Sequence, residues 1–544
     1  MKILVSDPLP HKGMEMLKEK AEVTEYNCES SQELESIIGD YDALIVRSGT
    51  QVTPEVIEAG KNLKVIGRAG VGVDNIDVDA ATEYGIVVIN APEGNTISAA
   101  EHSIALLTSL ARNIPTAHHS LKNGEWERSR FTGVELYKKT LGVIGLGRIG
   151  SEVARRARAM GMHVLAYDPY VTAEQAQKMG IQVLALDQVL RHADFLTLHL
   201  PNVPSTYHII DEEKIAMMKP GVRIINCARG GLIDEDALCD ALKEGKIAGA
   251  ALDVFETEPP EECSLLEMEN VIATPHLGAS TREAQTNVAL QVAEQVLKAL
   301  DGEPVGYAVN VPVEMPESMA DVEPFMPLME LMGSFYTQYF GGPIKEIEIR
   351  YSGEIAEKSL SALTTSCLNG MLQVIMGDQV NHVNAPMLAK NRGIKFKEVY
   401  TSSVENFTNL ITMEVKSNDD THTISGTLFN QDDMRIVQID QYHIEVLPSP
   451  HILVCKYADL PGIIAQMTTI LGEEEINIAG MQVGREIVGG EAMMVLQLDD
   501  PISKRTIDKI SKVDQITSVH YVEPWKKFKA PQIGKREKTS PAAR

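Results

Sequence analysis

Three glycines spaced as GxGxxG are the strongest chemical signal in this chain. Gly145, Gly147 and Gly150 follow an apolar strand, LGVIG, and lead into a helix, SEVARRARAM. In this arrangement Gly145 permits a tight strand-to-helix turn, Gly147 lets the backbone approach a pyrophosphate, and Gly150 lets the helix pack close to the strand. Free N–H groups at the start of such a helix face the phosphates. The spacing therefore predicts a dinucleotide site.

A carboxylate ends the next strand, HVLAYD. Asp168 lies eighteen residues after Gly150, a position typical of a side chain that accepts hydrogen bonds from the ribose hydroxyls. The same negative charge would repel a 2′-phosphate. We therefore expect the cofactor to be NAD and not NADP.

Three more residues that could do chemistry lie in loops beyond later strands. They are Arg229 in NCARGG, Glu258 in DVFETEPP and His276 in TPHLGAS. A nicotinamide enzyme that acts on a hydroxy or keto acid needs a proton donor and acceptor, and a fixed cation for the carboxylate and carbonyl. His276 and Arg229 supply those types, and Glu258 would orient the imidazole and stabilise its protonated form. Taken singly, each also fits a structural role as a helix-start residue, a loop charge or an ion pair.

The elements that must position these residues alternate along the first half of the chain. Residues 1 to about 95 show short apolar strands between helical segments, the pattern of a parallel α/β sheet. Arg47 and Arg68 end two neighbouring strands, at the edge where such sheets bind ligands. Two guanidiniums there could clamp a phosphate or a carboxylate, with two surface arginines as the alternative. The βα repeats around the glycines resemble this first unit, so we expect the two to face each other across a cleft.

The second half of the chain changes pattern near the Pro-rich stretch VNVPVEMPES. Residues 315–447 carry helices and strands in runs, which predicts an α+β domain. Residues 451–523 read strand, helix, strand, strand, helix, strand, the βαββαβ order of a ferredoxin-like sandwich. From Trp525 onward, five Lys and two Arg face one Glu, and we expect a disordered basic tail.

Composition limits the partners. A net charge of −26 and a pI near 5.0 argue against nucleic acid, and no run approaches the ~20 apolar residues that span a bilayer. Six cysteines are scattered without metal-ligand spacing, which favours a reducing, cytoplasmic location.

The chain resembles the D-isomer-specific 2-hydroxyacid dehydrogenases in five motifs, GLGRIG, YDP, NCARGG, DVFETEP and TPHLGAST. With RSGTQVT and GRAGVGVDNID, the chain is similar to long members that carry two additional C-terminal domains. The resemblance implies an α/β protein with two Rossmann-like parallel-sheet domains, an α+β intervening domain and a ferredoxin-like ACT domain. The predicted domains are a substrate-binding domain at 1–98 and 283–310, an NAD-binding Rossmann domain at 99–282, the intervening domain at 315–447, the ACT domain at 451–523 and the tail at 524–544.

The resemblance also implies a reaction: NAD-dependent oxidation of 3-phospho-D-glycerate to 3-phosphohydroxypyruvate, the first step of L-serine biosynthesis, in a homodimer or homotetramer. Arg229 would bind the carboxylate and carbonyl, His276 would be the acid and base, and Glu258 would support it. The implied cofactor-binding residues are Gly145, Gly147, Arg148, Ile149, Gly150, Asp168, Cys227, Ala228, Arg229, Asp253, His276, Gly278 and Ala279. The implied substrate-binding residues are Arg47, Arg68 and Asn95, with Arg128 or Arg130 as candidates for a further cation from a neighbouring subunit.

The terminal module resembles ACT domains, which bind amino acids where two copies pair. Its DLPG turn and INIA strand imply that Tyr457, Asp459 and Asn477 meet an effector, and L-serine is the implied effector. A module that only dimerises is the alternative.

Two other functions stay open on sequence grounds. A glyoxylate or hydroxypyruvate reductase shares the same Arg, Glu and His, but its unphosphorylated substrate would not require both Arg47 and Arg68. An NAD-sensing corepressor uses the same scaffold but would not need the terminal module.

Overall fold

The computed structural model describes residues 1–523 apart from 29, 262, 304, 312–320, 359, 405, 418–419 and 431–432, and this part of the chain contains four β-sheets. The predicted basic tail at 524–544 lies outside the described residues. A membrane-spanning helix needs both length and high hydropathy, and none of the described helices combines the two.

The first sheet is parallel throughout, as the alternating pattern predicted. Its order is β2-β1-β3-β4-β5. The strands are β1 (Lys2–Val5), β2 (Glu22–Glu25), β3 (Ala43–Val46), β4 (Val65–Arg68) and β5 (Val87–Ile89). The intervening helices are α1 (His11–Lys20), α2 (Ser31–Ile37), α3 (Pro54–Ala59) and α4 (Val78–Glu83). Every residue of β3 is buried because helices cover both faces of the sheet.

The second sheet is parallel too, in the order β12-β11-β10-β9-β6-β7-β8. Its strands are β6 (Thr140–Ile144), β7 (His163–Tyr167), β8 (Gln182–Val183), β9 (Phe195–Leu198), β10 (Val222–Asn226), β11 (Ile247–Leu252) and β12 (Val271–Ala273). The helices of this part are α5 (Thr96–Arg112), α6 (Ile114–Lys122), α7 (Arg148–Ala159), α8 (Ala173–Lys178), α9 (Leu186–His192), α10 (Glu212–Met217) and α11 (Glu235–Lys243). Because β6 lies between β7 and β9, the chain direction across the sheet reverses beside it, and ligands bind at such a switch point.

One long helix returns to the first sheet after β12. This helix, α12 (Arg282–Asp301), packs on α1, where Gly13 leaves room for Ala289, and it buries Val292 and Val296 against β4. The first unit is therefore completed by residues far along the chain.

The third sheet is mixed, with the order β14-β13-β15-β16-β17-β18 and one parallel pair, β13 with β14. Its strands are β13 (Glu346–Gly353), β14 (Lys395–Thr401), β15 (Asn409–Lys416), β16 (Thr421–Phe429), β17 (Asp433–Ile439) and β18 (Tyr442–Val446). The helices beside it are α13 (Met326–Tyr339), α14 (Ser361–Met376) and α15 (Ala385–Asn391). The predicted α+β class of this region is confirmed.

The fourth sheet is antiparallel, in the order β20-β21-β19-β22. Its elements are β19 (His451–Ala458), α16 (Ile463–Glu473), β20 (Ile478–Arg485), β21 (Glu491–Leu498), α17 (Lys504–Ile510) and β22 (Ile516–Val522). This is the βαββαβ order that the sequence predicted.

The third and fourth sheets share one hydrophobic core. Tyr336 and Tyr339 of α13 pack in a single cluster with Val454 of β19 and Val495 of β21. The last sheet is thus covered on one face by its own two helices and on the other by the preceding region. Two hydrogen bonds between described residues link this region to the first unit. Asn381 Nδ2 donates to the backbone oxygen of Gly85 at 2.8 Å, and Asn384 Nδ2 donates to that of Glu83 at 3.3 Å.

Candidate active site

Loops from the two parallel sheets meet at a cavity of about 690 Å³. The loops after β3 and β4 form one wall, and the loops after β10, β11 and β12 form the other. The candidate residues that line it are Arg47, Arg68, Asn95, Arg229, Glu258, His276 and Ala279. The cleft expected between the two units is therefore present, and it brings the candidate chemical groups together.

His276 and Glu258 form the central pair of this cleft. His276 Nδ1 lies 2.8 Å from Glu258 Oε2, and the backbone N–H of Phe255 donates to Glu258 Oε1 at 3.2 Å. Burial works to raise the pKa of Glu258, but the hydrogen bond and charge of His276, together with the Phe255 N–H, lower it overall. The carboxylate can therefore hold one imidazole nitrogen while the other remains available to a ligand.

A buried aspartate holds the loop that carries His276. The backbone of His276 is left-handed (φ 54°), which is uncommon for a residue with a side chain, and its N–H donates to the Asp253 backbone oxygen at 2.9 Å. The Asp253 carboxylate is bonded to Thr274 Oγ1 (2.5 Å), Leu277 N (2.8 Å), Gly278 N (2.8 Å) and His102 Nε2 (3.2 Å). Burial opposes ionisation, yet these bonds hold the pKa of Asp253 below its usual value. Asp253 thus stabilises an unfavourable loop conformation.

Arg229 reaches across the cleft. Its Nη1 donates to the Ala228 backbone oxygen at 2.7 Å, and its Nε lies 3.3 Å from Asp74 Oδ2 on the opposite wall. A side chain at Gly72 would collide with this guanidinium, since a Cβ there would be 2.2 Å from Arg229 Nη2. The glycine therefore leaves space for a cation between the two units.

Arg47 directly follows β3, and Arg68 is the last residue of β4. Arg47 Nη1 donates to the Pro8 backbone oxygen at 3.3 Å. Burial, and then the nearby Arg229 guanidinium, lower the pKa of Arg68. Beside them, Asn95 Oδ1 is buried without a hydrogen-bond partner among the described residues. Three cations and an unsatisfied amide oxygen in one cleft fit an anionic, hydroxyl-bearing ligand.

The glycine loop has the geometry that its spacing predicted. Gly145 has φ 94°, and a Cβ at Gly150 would lie 2.0 Å from the Gly145 backbone oxygen. At Gly147, within the described part of the chain, a Cβ would meet no atom within 4 Å. Asp168 Oδ2 accepts from Leu146 N at 2.8 Å, so the carboxylate also braces the loop. The residues fit a pyrophosphate at the start of α7.

The remaining cofactor candidates lie around this loop. Arg148 begins α7 and lies 3.6 Å from Glu93, while the side chain of Ile149 packs towards the core of the second unit. Cys227 and Ala228 follow β10 and are 8% and 9% exposed. Burial raises the pKa of the Cys227 thiol to about 12, so it stays protonated.

The two arginines considered for a neighbouring subunit differ in their surroundings. Arg130 is held within its own chain by Glu269 at 2.6 Å and Glu127 at 2.9 Å. Arg128 is exposed on the same loop, close to Trp126, which is 77% exposed. Of the two, Arg128 is the one whose side chain reaches solvent without those acidic neighbours.

The effector candidates are not together within one chain. Tyr457 is 1% exposed in the core of the fourth sheet. Asp459 follows β19 and accepts from Arg485 Nη1 at 2.9 Å and from Gly489 N at 3.1 Å. Asn477 precedes β20 and donates to Asp499 at 2.5 Å. Since β19 and β20 run in the same direction, Asp459 and Asn477 lie at opposite ends of the sheet, about 25 Å apart.

Sequence reasoning missed three residues that organise the cleft. Asp7 follows β1 and accepts from Arg47 N at 2.6 Å, Asn75 bonds to the loop of Arg47, and His102 bonds to Asp253. Asp7 could have been predicted, because residues that follow the carboxyl ends of parallel strands often bind ligands and Asp7 follows β1. The other two depend on contacts between distant segments and carry no local signal.

Matches to known families fit this geometry. Residues 104–278 match the D-isomer specific 2-hydroxyacid dehydrogenase NAD binding domain, residues 321–440 the D-3-phosphoglycerate dehydrogenase intervening domain, and residues 451–515 the ACT domain. A solved D-lactate dehydrogenase from Aquifex aeolicus, complexed with NAD and lactic acid, is 32% identical, with a TM-score of 0.52 over 57% of this chain and 99% of that chain. Fold and site thus define an NAD-dependent oxidoreductase of the D-isomer specific 2-hydroxyacid dehydrogenase class.

Full-length relatives narrow this class. D-3-phosphoglycerate dehydrogenase from Synechocystis sp. is 46% identical over 96% of this chain and 94% of that protein. The enzyme of the same name from Methanocaldococcus jannaschii is 47% identical over 95% of this chain and 99% of that protein. The chain belongs to the D-3-phosphoglycerate dehydrogenase family, and the resemblance inferred from its motifs is confirmed.

Proposed function

We propose that this chain oxidises 3-phospho-D-glycerate to 3-phosphohydroxypyruvate with NAD, the first step of L-serine biosynthesis. The observation that carries this proposal is the combination of three arginines with the His276–Glu258 pair in one cavity. A substrate with a carboxylate at one end and a phosphate at the other uses all three cations. The names of the full-length relatives support the same reaction.

Each group has a role in this reaction. Arg229 binds the substrate carboxylate and polarises the oxygen at C2, while Arg47 and Arg68 bind the phosphate. His276 accepts the proton of the C2 hydroxyl, and Glu258 stabilises the resulting imidazolium. NAD, when bound, would supply the hydride acceptor for C2. The glycine loop at the start of α7 would hold its pyrophosphate, and Asp168 would hold its ribose.

The test is the rate of NADH formation with 3-phospho-D-glycerate and with D-glycerate. We expect a higher kcat/KM for the phosphorylated acid, and Arg47→Ala should raise KM for that acid alone by roughly 10-fold or more, because a charged hydrogen bond to phosphate is lost. Arg191→Ala, an exposed arginine outside the cleft, is the matched control. An equal effect on both acids would remove Arg47 from the phosphate site.

A reductase for glyoxylate or hydroxypyruvate is the runner-up, and it predicts the opposite substrate preference. Its unphosphorylated substrate leaves the pair Arg47 and Arg68 without a ligand. A corepressor predicts NAD binding without turnover of either acid.

We further propose that L-serine binds between two copies of the fourth sheet and lowers activity. Because Asp459 and Asn477 lie at opposite ends of one sheet, a ligand that contacts both must take them from two copies. Strand β20 is an outer strand, and Met481 and Val483 on it are 44% and 41% exposed. Two such edges can pair antiparallel, which brings Asn477 of one copy towards Asp459 of the other. This supports a homodimer or homotetramer.

Calorimetry with L-serine on the full chain tests the effector. We expect binding, together with inhibition of NADH formation. Absence of binding up to millimolar concentrations would leave the fourth sheet as a dimerisation unit. For location we propose the cytoplasm, with which the six free cysteines are consistent.

A further inference from the structure

The two phosphate-binding candidates lie at the ends of neighbouring strands, and each is followed by a loop that contains glycine. Arg47 belongs to RSGT after β3, and Arg68 is followed by AGVGV after β4. A Cβ at Gly70 would lie 1.6 Å from Arg68 Nη1, so this glycine makes room for the guanidinium but also loosens the loop. Contacts with other residues must therefore fix the distance between the guanidiniums of Arg47 and Arg68.

One buried amide connects both loops. Asn75 is 9% exposed, and its Nδ2 donates to the backbone oxygens of Arg47 at 2.7 Å and Thr50 at 2.6 Å. Its Oδ1 accepts from Arg68 Nε at 3.4 Å. An amide is the side-chain group that offers two donors and an acceptor at once, and here each of them is used.

The same loop is held from its other side. The Asp7 carboxylate accepts from Arg47 N at 2.6 Å and from Thr50 N at 3.3 Å. The N–H groups of the Arg47–Thr50 loop thus bond to Asp7, and its carbonyl groups bond to Asn75. Asn75 also hydrogen-bonds to Arg68, whereas Asp7 acts on Arg68 through its charge.

We propose that Asn75 is a positioning residue that fixes Arg47 and Arg68 at the spacing of a phosphate group. The proposal rests on the proposed function, in which these arginines bind the substrate phosphate. A residue with a merely structural role would affect the phosphate end, the carboxylate end and the cofactor alike. A positioning residue affects the phosphate end.

The first experiment uses the full chain with Asn75→Ala. We expect KM for 3-phospho-D-glycerate and the inhibition constant of inorganic phosphate to rise roughly 10-fold or more, because hydrogen bonds to and around charged groups are lost. We expect kcat, KM for NAD and the inhibition constant of D-glycerate to change less than about 3-fold. Changes of similar size in kcat, both KM values and both inhibition constants would overturn the proposal.

Two further variants serve as checks. Asn62→Ala removes an amide that donates to Gly39 O at 2.8 Å in the same unit but away from the cleft, and it should leave phosphate affinity unchanged. Asn75→Asp keeps an acceptor for Arg68 while its ionised form loses both donors to the Arg47 loop, so it should also weaken phosphate binding. A phosphate affinity unchanged in Asn75→Asp would contradict the proposal even if Asn75→Ala fails to fold.

A double-mutant cycle separates this inference from the function on which it rests. If Asn75 acts through the arginines, Asn75→Ala should have little effect on phosphate affinity once Arg47 and Arg68 are both alanine. Independent, fully additive effects would overturn the positioning role. If the arginine variants themselves leave phosphate affinity unchanged, the phosphate assignment in the proposed function fails instead.

Discussion

In the cleft, His276 and Glu258 already lie 2.8 Å apart within one chain, whereas Asp459 and Asn477 lie at opposite ends of the last sheet. Both regions contain carboxylates whose oxygens are bonded before any ligand arrives. In the cleft these bonds aim a reactive group at a cavity, and in the last sheet they tie each residue to its own neighbour. On the functions proposed above, the first region would be a complete site within one chain, and the second would be half of a site shared by two copies.

The largest expected effect comes from breaking the preformed pair. His276→Ala should lower kcat about 10²- to 10⁴-fold, the usual contribution of a general acid or base, while KM for NAD stays nearly constant. Steady-state kinetics on the full chain measure this.

A second His–Glu pair, outside the cavity, provides the control. His208 is also left-handed (φ 49°), and its Nε2 lies 2.9 Å from Glu256 Oε1. His208→Ala should keep kcat close to that of the unmodified protein. If His276→Ala retained more than half of the activity, His276 would not be the acid and base of a preformed site.

The half-site interpretation is tested by mixing copies. Asp459→Ala and Asn477→Ala should each abolish the serine response, since each homomeric pair loses both of its sites. Mixed pairs retain one intact site, so mixing should restore part of a response that is typically 5- to 150-fold. Inhibition curves for the separate and mixed variants measure this, and Asp508→Ala on α17 is an exposed control. A mixture as unresponsive as its parents would show that the two residues do not act across copies.

A smaller effect is expected at Asp168, whose carboxylate is bonded to backbone N–H groups as that of Asp459 is. Asp168 accepts from Leu146 N and from Tyr170 N, both at 2.8 Å, much as Asp459 accepts from a backbone N–H. We expect Asp168→Ala to weaken the preference for NAD over NADP roughly 10-fold, because repulsion of the 2′-phosphate is removed. The ratio of kcat/KM for the two cofactors gives the answer, with Asp240→Ala on α11 as control. Equal use of both cofactors by the unmodified chain would contradict the ribose assignment.

The smallest effect concerns pH. His276 holds the pKa of Glu258 below its usual value, so this carboxylate is ionised throughout the neutral range. Glu258→Gln removes the negative charge that favours a proton on its partner. Since oxidation needs a proton acceptor at this place, the acidic limb of the pH–rate profile should move to lower pH. Glu256→Gln, beside His208, should leave the limb in place, and an unmoved limb in both variants would mean that Glu258 does not act through His276.

Local sequence signals predicted much of this molecule. The glycine spacing and Asp168 predicted the nucleotide loop, and the alternation of strands and helices predicted both parallel sheets and the βαββαβ order. Strand-end residues such as Arg47 and Arg68 could be placed at one edge because parallel strands end together. Residue type and a place beyond later strands singled out Arg229, Glu258 and His276, and the family motifs then gave each a role.

Other features were beyond local patterns. The left-handed backbone of His276 depends on Asp253, a residue 23 positions away, and on His102 of α5. Tyr457 was expected to meet a ligand, but its side chain is buried in this chain. Both faces of β19 are covered, so the sequence of this strand does not show which side chains reach the surface. The link from Asn75 to Arg47 and Arg68 joins two loops that only the folded sheet brings together.

The core shared by the third and fourth sheets has a practical consequence for grafting. A cut near residue 449 would remove Val454 and Val495 from the cluster that contains Tyr336, and it would leave α13 with an apolar face in water. The unit to move between proteins is therefore the whole stretch from about residue 321 to 523. Within the described part of the chain, its hydrogen bonds to the first unit come from Asn381 and Asn384, and a chimaera would have to recreate these contacts.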